Sequence, residues 1–283
     1  MRLTAVLHTF SQERKEVRLT RLTRQIHYRA SSSQPLKVTD MTATLRTTTA
    51  KRPSMDSQKK TALVAGVLYL LTFVSIPTLF LYGPVKSLNY ITGSGPDTGA
   101  LFGGLLEIIV ALACIGTAVA LYPVVKRQNE GFAMGFVGAR VLEGAAIFAG
   151  VVSLLSVVTL RQAGVGADGL VTGQALVAQY NWTTLFGQGT LPAFNALLLG
   201  TLLYRSRLVP RVLPVLGLIG APLLIAGVIG TMFGLWEQVN VVSGIAVLLI
   251  AGWEFSLGVY LVVKGFRPSG LARLNTEAVV AGS

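Results

Sequence analysis

Histidine and cysteine are almost missing from this chain, and charge is scarce. His8 and His27 are the only histidines and both precede residue 55, so the apolar remainder has no imidazole for proton shuttling, metal ligation or a Ser/His arrangement. Cys114 is the only cysteine, which excludes an intrachain disulfide and a thiolate pair for a metal; it reads as a small buried hydrophobe. No glycine-rich loop follows a strand pattern, so Gly93, Ser94 and Gly95 form a turn and not a phosphate cradle. No metal, no cofactor and no catalytic residue is expected. Only 13% of the 283 residues are Asp, Glu, Lys or Arg, against 52% hydrophobic. A mean hydropathy of +0.63 completes a balance that soluble domains do not have.

Long apolar runs stand in place of what is missing. A crossing helix needs about 20 mostly apolar residues, because it rises roughly 1.5 Å per residue through roughly 30 Å of hydrocarbon. Six segments meet that length, near 61–82, 99–121, 132–160, 183–204, 212–234 and 241–263. They show no strand alternation, which fits helices and not a barrel. The expected fold is all-α, a polytopic membrane bundle of six transmembrane helices.

Lys126, Arg127, Arg205, Arg207, Arg211, Lys264, Arg267 and Arg273 fall in the loops of one side, and only Lys86 and Arg161 in those of the other. The excess of basic residues marks the inner side. It predicts a multi-pass protein of the cell membrane with the N-terminus and C-terminus cytoplasmic. The formal charge of +12 resides mostly in residues 1–60, which hold thirteen Lys/Arg and four Asp/Glu. Anionic headgroups account for this basicity, so the lipid bilayer is the expected partner and nucleic acid is not.

Residues 1–54 are rich in Arg, Ser and Thr with no apolar run that could form a core. They read as a disordered basic tail or as an over-extended gene start, since residues 55–60 already supply a basic lead into the first helix. Residues 55–268 form the six-helix membrane domain. Residues 269–283 are expected to be a flexible cytoplasmic tail.

Several motifs carry a resemblance: residues 59–70 (KKTALVAGVLYL), 81–85 (LYGPV), 105–107 (LLE), 126–131 (KRQNEG), 139–143 (ARVLE), 204–211 (YRSRLVPR) and 252–254 (GWE). From residue 55 to about 268 the chain resembles a family of bacterial, largely actinobacterial, six-helix integral membrane proteins catalogued only as a domain of unknown function. The resemblance implies six helices and membrane residence. It implies no activity, cofactor or catalytic residue.

Glu107, Arg140, Glu143 and Glu254 lie inside the apolar runs, where an ionisable side chain is costly unless paired or used. Arg140 and Glu143 are three residues apart and share one helix face. Counting depth along the helices places Glu254 near the level of Arg140 and Glu107 near that of Glu143. The expected pairing is therefore Arg140 with Glu254 and Glu143 beside Glu107. Three carboxylates against one guanidinium leave surplus acid, which a low-dielectric interior relieves by holding a proton or a cation.

Two readings follow. In one, the cluster serves a small proton-coupled or cationic-solute transporter or channel. In the other, it is a staple that fixes helix register in a structural or accessory membrane protein. Catalysis by a carboxylate pair lacks its usual companions, and the chain is read as a non-enzyme. Pro77, Pro192 and Pro222 fall within the expected first, fourth and fifth helices and would kink them. The fourth is the most interrupted, with Gly187, Gly189, Pro192 and Asn195 as a candidate helix break on a solute path. Trp253, beside Glu254, either bonds through its indole N–H or simply packs.

Overall fold

The computed structural model describes residues 55–237 and 241–280, and the expectations for residues 1–54 lie outside them. Among the described residues the chain is all helix and turn, without strands. In chain order the helices are α1 (Met55–Leu71), α2 (Thr78–Leu81), α3 (Thr98–Val125), α4 (Glu130–Gln162), α5 (Leu170–Gly187), α6 (Leu191–Ser206), α7 (Val212–Met232), α8 (Val241–Val263) and α9 (Pro268–Val280). Five helical segments among them are long and apolar enough to cross a membrane: Asp56–Leu81, Thr98–Val125, Glu130–Gln162, Val212–Met232 and Ser243–Val263. Such helices mark a membrane protein.

Each long helix sorts its residues by face. On α3, Leu105, Leu112 and Val119 are exposed at seven-residue spacing, while Glu107, Ala111, Cys114, Ala118 and Leu121 are buried. On α4 the buried stripe is Phe136, Arg140, Glu143, Ile147, Val151 and Leu154, the i, i+3, i+4 pattern of one helix face. The apolar side chains thus turn outward and the charges inward. A soluble protein would do the reverse, whereas lipid favours this arrangement.

The inward faces meet in a closed ring. Helix α1 packs on α3, α3 on α4, α4 on α6, α6 on α7, α7 on α8, and α8 returns to α1. Helix α5 stands outside this order and packs on α4. Glycine permits the closure between first and last helix: a Cβ on Gly66 would lie 2.7 Å from the Gly258 carbonyl oxygen. Such close backbone approach is how membrane helices gain packing contact.

The fourth expected helix, 183–204, is not continuous. The helix breaks between Gly187 and Leu191, so that α5 begins far upstream at Leu170 and α6 begins anew. Pro192 sits in the first turn of α6, where its missing N–H costs nothing, and not in a helix interior. Helix α6 is 16 residues, about 24 Å, and falls short of a full crossing by itself. Pro77 likewise stands at a helix start, directly before α2, after α1 has tightened into a 3₁₀ turn at Thr72–Ser75. Pro222 does lie inside a helix, α7.

Residues 268–280 form a helix where a flexible tail is expected. The Arg267 N–H donates to the Leu208 carbonyl, and Leu271 and Leu274 are buried. Those two leucines give α9 an apolar face that seats it on the ring.

Candidate functional site

Arg140 is the centre of the ring. Its side chain is 1% exposed and is positioned by the buried stripe of α4. One guanidinium nitrogen, Nη1, donates to Glu143 Oε2 at 3.0 Å and lies 3.5 Å from Cys114 Sγ of α3. The other, Nη2, donates to Glu254 Oε1 of α8 at 2.5 Å. Glu143 Oε2 also accepts from Asn195 Nδ2 of α6 at 2.6 Å. The guanidinium lies over the Tyr69 ring of α1, 5.0 Å from its centroid, and near Phe136. Five helices of the ring therefore converge on one cation. Because guanidinium only donates, both carboxyl groups meet it as acceptors.

A cavity of about 150 Å³ opens beside this network. Arg140, Glu143, Glu254 and Cys114 line it, with the Thr72–Ser75 turn on one side and Gln188 and Pro192 on another. Glu254 retains 12% exposure of its side chain, the largest of the three charged groups. Among the described residues, Arg140 Nε and Asn195 Oδ1 find no hydrogen-bond partner. One guanidinium thus faces two carboxyl groups at the cavity wall, an excess of acid over base.

Glu107 is not part of that network. It is 2% exposed and accepts from Tyr82 OH at 3.1 Å, Tyr180 OH at 3.2 Å and Gln188 Nε2 at 3.3 Å. Glu143 is bonded to Arg140 and Asn195 instead of sitting beside Glu107. Helix α3 runs on to Val125, past the expected end near 121, and this lifts Glu107. Measured from the basic ends of their helices, Glu143 lies about 20 Å up and Glu107 about 27 Å up. The two sites share Gln188, which bonds Glu107 and also lines the cavity of Glu143 and Glu254.

The helix break places Gln188 there. The N–H groups of Gln188 and Gly189 both donate to the Thr184 carbonyl at 2.9 Å, and Thr190 Oγ1 donates to the Leu185 carbonyl at 3.1 Å. Irregular backbone at membrane depth is tolerated where it is satisfied and lines a cavity. Gly187 packs on α4, where a Cβ would lie 2.6 Å from that of Ala146. Gly189 lies within the break and Asn195 in α6 beyond it. Trp253 is 1% exposed and packs on Gly217, where a Cβ would fall 2.8 Å from the indole Cγ.

Tyr82, Tyr180 and Gln188 were not legible as site residues. They are neutral, and they sit at the ends of apolar runs where polar side chains ordinarily face headgroups. Beyond Glu107, a third polar group closes the end away from the basic loops. Asp97 Oδ1 accepts from Tyr90 OH at 2.5 Å and from Arg161 Nη1 at 2.9 Å, and Oδ2 from Gln162 Nε2 at 3.0 Å. The Tyr90 hydroxyl first, then the Gln162 amide and the Arg161 guanidinium, hold the Asp97 carboxyl below its usual range.

Residues 64–265 match the model of a family described as Domain of unknown function (DUF4386). No curated protein and no solved structure matches the chain.

Proposed function

This chain belongs to the DUF4386 family, a domain of unknown function, and from that premise we propose that it binds a small monovalent cation in its central cavity and conducts it across the cell membrane. The observation that carries the reading is the cavity wall, where one Arg140 guanidinium faces two carboxylates, Glu143 and Glu254. The surplus negative charge attracts a cation and repels an anion. The volume of about 150 Å³ is well below the roughly 300–1,000 Å³ of pockets for drug-sized ligands, which restricts the guest to a small organic ammonium or a bare ion. A broken helix beside the cavity is a recurring device of solute sites in membranes. The role is one of binding and translocation and not of catalysis, and it involves lipid and a small cation or proton but no nucleic acid.

In this reading the membrane is crossed six times, the fourth crossing being made jointly by α5, the break and α6. Both termini then lie on the cytoplasmic side, a reading supported by the gathering of basic residues in the loops of one side. The cell membrane is the location this reading proposes, supported by the resemblance to bacterial membrane proteins.

Cys114 provides the test, because it is the only cysteine and lines the cavity. In proteoliposomes, a cationic aminoethyl methanethiosulfonate should modify it faster than the anionic sulfonatoethyl reagent. Glu254→Gln should erase that preference, and methylammonium should protect the thiol. Flux of methylammonium should fall with Glu254→Gln. Failure of both reagents to reach Cys114 in folded protein would overturn the reading. It would leave the staple, which the near-complete burial of Arg140 between two bonded carboxylates favours.

A further inference from the structure

Glu107 and the Arg140 network solve the burial of a carboxylate in opposite ways. Glu143 and Glu254 face a guanidinium, which has five donors and no acceptor. Those bonds occupy one oxygen of each carboxyl group, Glu143 Oε2 and Glu254 Oε1, as acceptors from a partner that can never accept in return. Around Glu107 every partner is two-faced. The hydroxyls of Tyr82 and Tyr180 can donate or accept, and the Gln188 amide offers NH₂ or, after rotation, its carbonyl oxygen. A carboxylate there receives three hydrogen bonds. A carboxylic acid there can donate to a hydroxyl oxygen or to a rotated amide carbonyl and still receive from the remaining partners.

We propose that Glu107 is the exchangeable-proton site of this bundle, loaded from the end of the molecule that carries Lys86 and sensed at the central cavity through Gln188. The proton leaves water at that end and bonds to a Glu107 carboxylate oxygen; the reverse step returns it. Lys86 marks the route, with its Nζ 4.2 Å from the Tyr180 ring centroid and 6.0 Å from that of Tyr82, whose hydroxyls bond Glu107. The other charged or titratable groups facing this interior are committed elsewhere. Arg140 and Glu143 of α4 bond each other, Glu254 of α8 bonds Arg140, Tyr69 of α1 lies under Arg140, and Cys114, on α3 with Glu107, contacts Arg140. Gln188 belongs to both sites, so the amide orientation that suits a protonated Glu107 presents a different face to the cavity. The sensing step rests on the cation-cavity reading, whereas the proton site stands on its own geometry.

Infrared difference spectroscopy of the full chain in lipid nanodiscs, stepped in pH, tests it. A protonated-carboxyl C=O band should titrate, vanish in Glu107→Gln, persist in Glu254→Gln, and shift in frequency in Tyr82→Phe and Tyr180→Phe, which remove its bonding partners. Glu107→Asp, a conservative change at the same site, should keep the band at a moved frequency if Glu107→Gln does not fold. A band that survives Glu107→Gln, or that vanishes in Glu254→Gln, overturns the proposal, as does the absence of any titrating carboxyl band. Cys114 labelling reports the cavity independently, so the two ideas fail separately.

Discussion

At the residue scale, Arg140 decides the most. Arg140→Ala leaves Glu143 and Glu254 buried without a counter-charge, and breaking a buried pair in this way costs about 3–5 kcal/mol. Thermal unfolding in detergent should show that loss, while Glu254→Gln, which keeps an acceptor for Nη2, should lose less. Arg140→Lys should recover only part of it, because a point charge cannot bridge two carboxylates as the planar fork does. Asp97 yields a pH dependence of definite sign. Its folded carboxyl titrates below the ordinary 3.8, so its contribution is present above that value and lost as pH falls through the lower folded value. Asp97→Asn should flatten the acid limb of a plot of Tm against pH and leave the neutral plateau lower. The four charges of the apolar runs were legible in the sequence because a charge in a long apolar run has no cheap explanation. The partners of Glu107 were not, since Tyr82, Tyr180 and Gln188 come from 25, 73 and 81 residues away and carry no charge.

At the element scale, the closure of the ring depends on two helices meeting through glycine. Gly66→Leu would drive a side chain into the Gly258 carbonyl and Val262, each under 3 Å from the new Cβ. Overpacking of this kind costs about 1–3 kcal/mol. Gly138 of α4 has open space around it, and Gly138→Ala should instead raise stability by up to about 1 kcal/mol through helix propensity. Measuring both variants by the same melting assay separates close approach from propensity. The apolar runs were legible as helices from their length, but the division of 183–204 was not. Hydropathy averages over Gln188, Gly189 and Thr190, whereas the break depends on which carbonyls those residues can satisfy and on the cavity they line.

At the scale of the whole molecule, the basic loops gather at one end of the bundle and the Asp97 and Lys86 groups at the other. On a Cys114→Ala background, Lys126→Cys should react with an impermeant thiol reagent only from the cytoplasmic side and Asn89→Cys only from the opposite side. Labelling of both from one side would remove the six-crossing topology. By itself the sequence determined that the chain is helical, membrane-resident and burdened with buried charge, because hydropathy and run length are local properties set by the thickness of a bilayer. The tertiary structure alone decided that Glu143 turns to Arg140 and Asn195 and that Glu107 is held instead by Tyr82, Tyr180 and Gln188. Depth along separate helices can be counted from sequence, but rotation about each axis and the exact helix ends are set by packing, and those choose the partners.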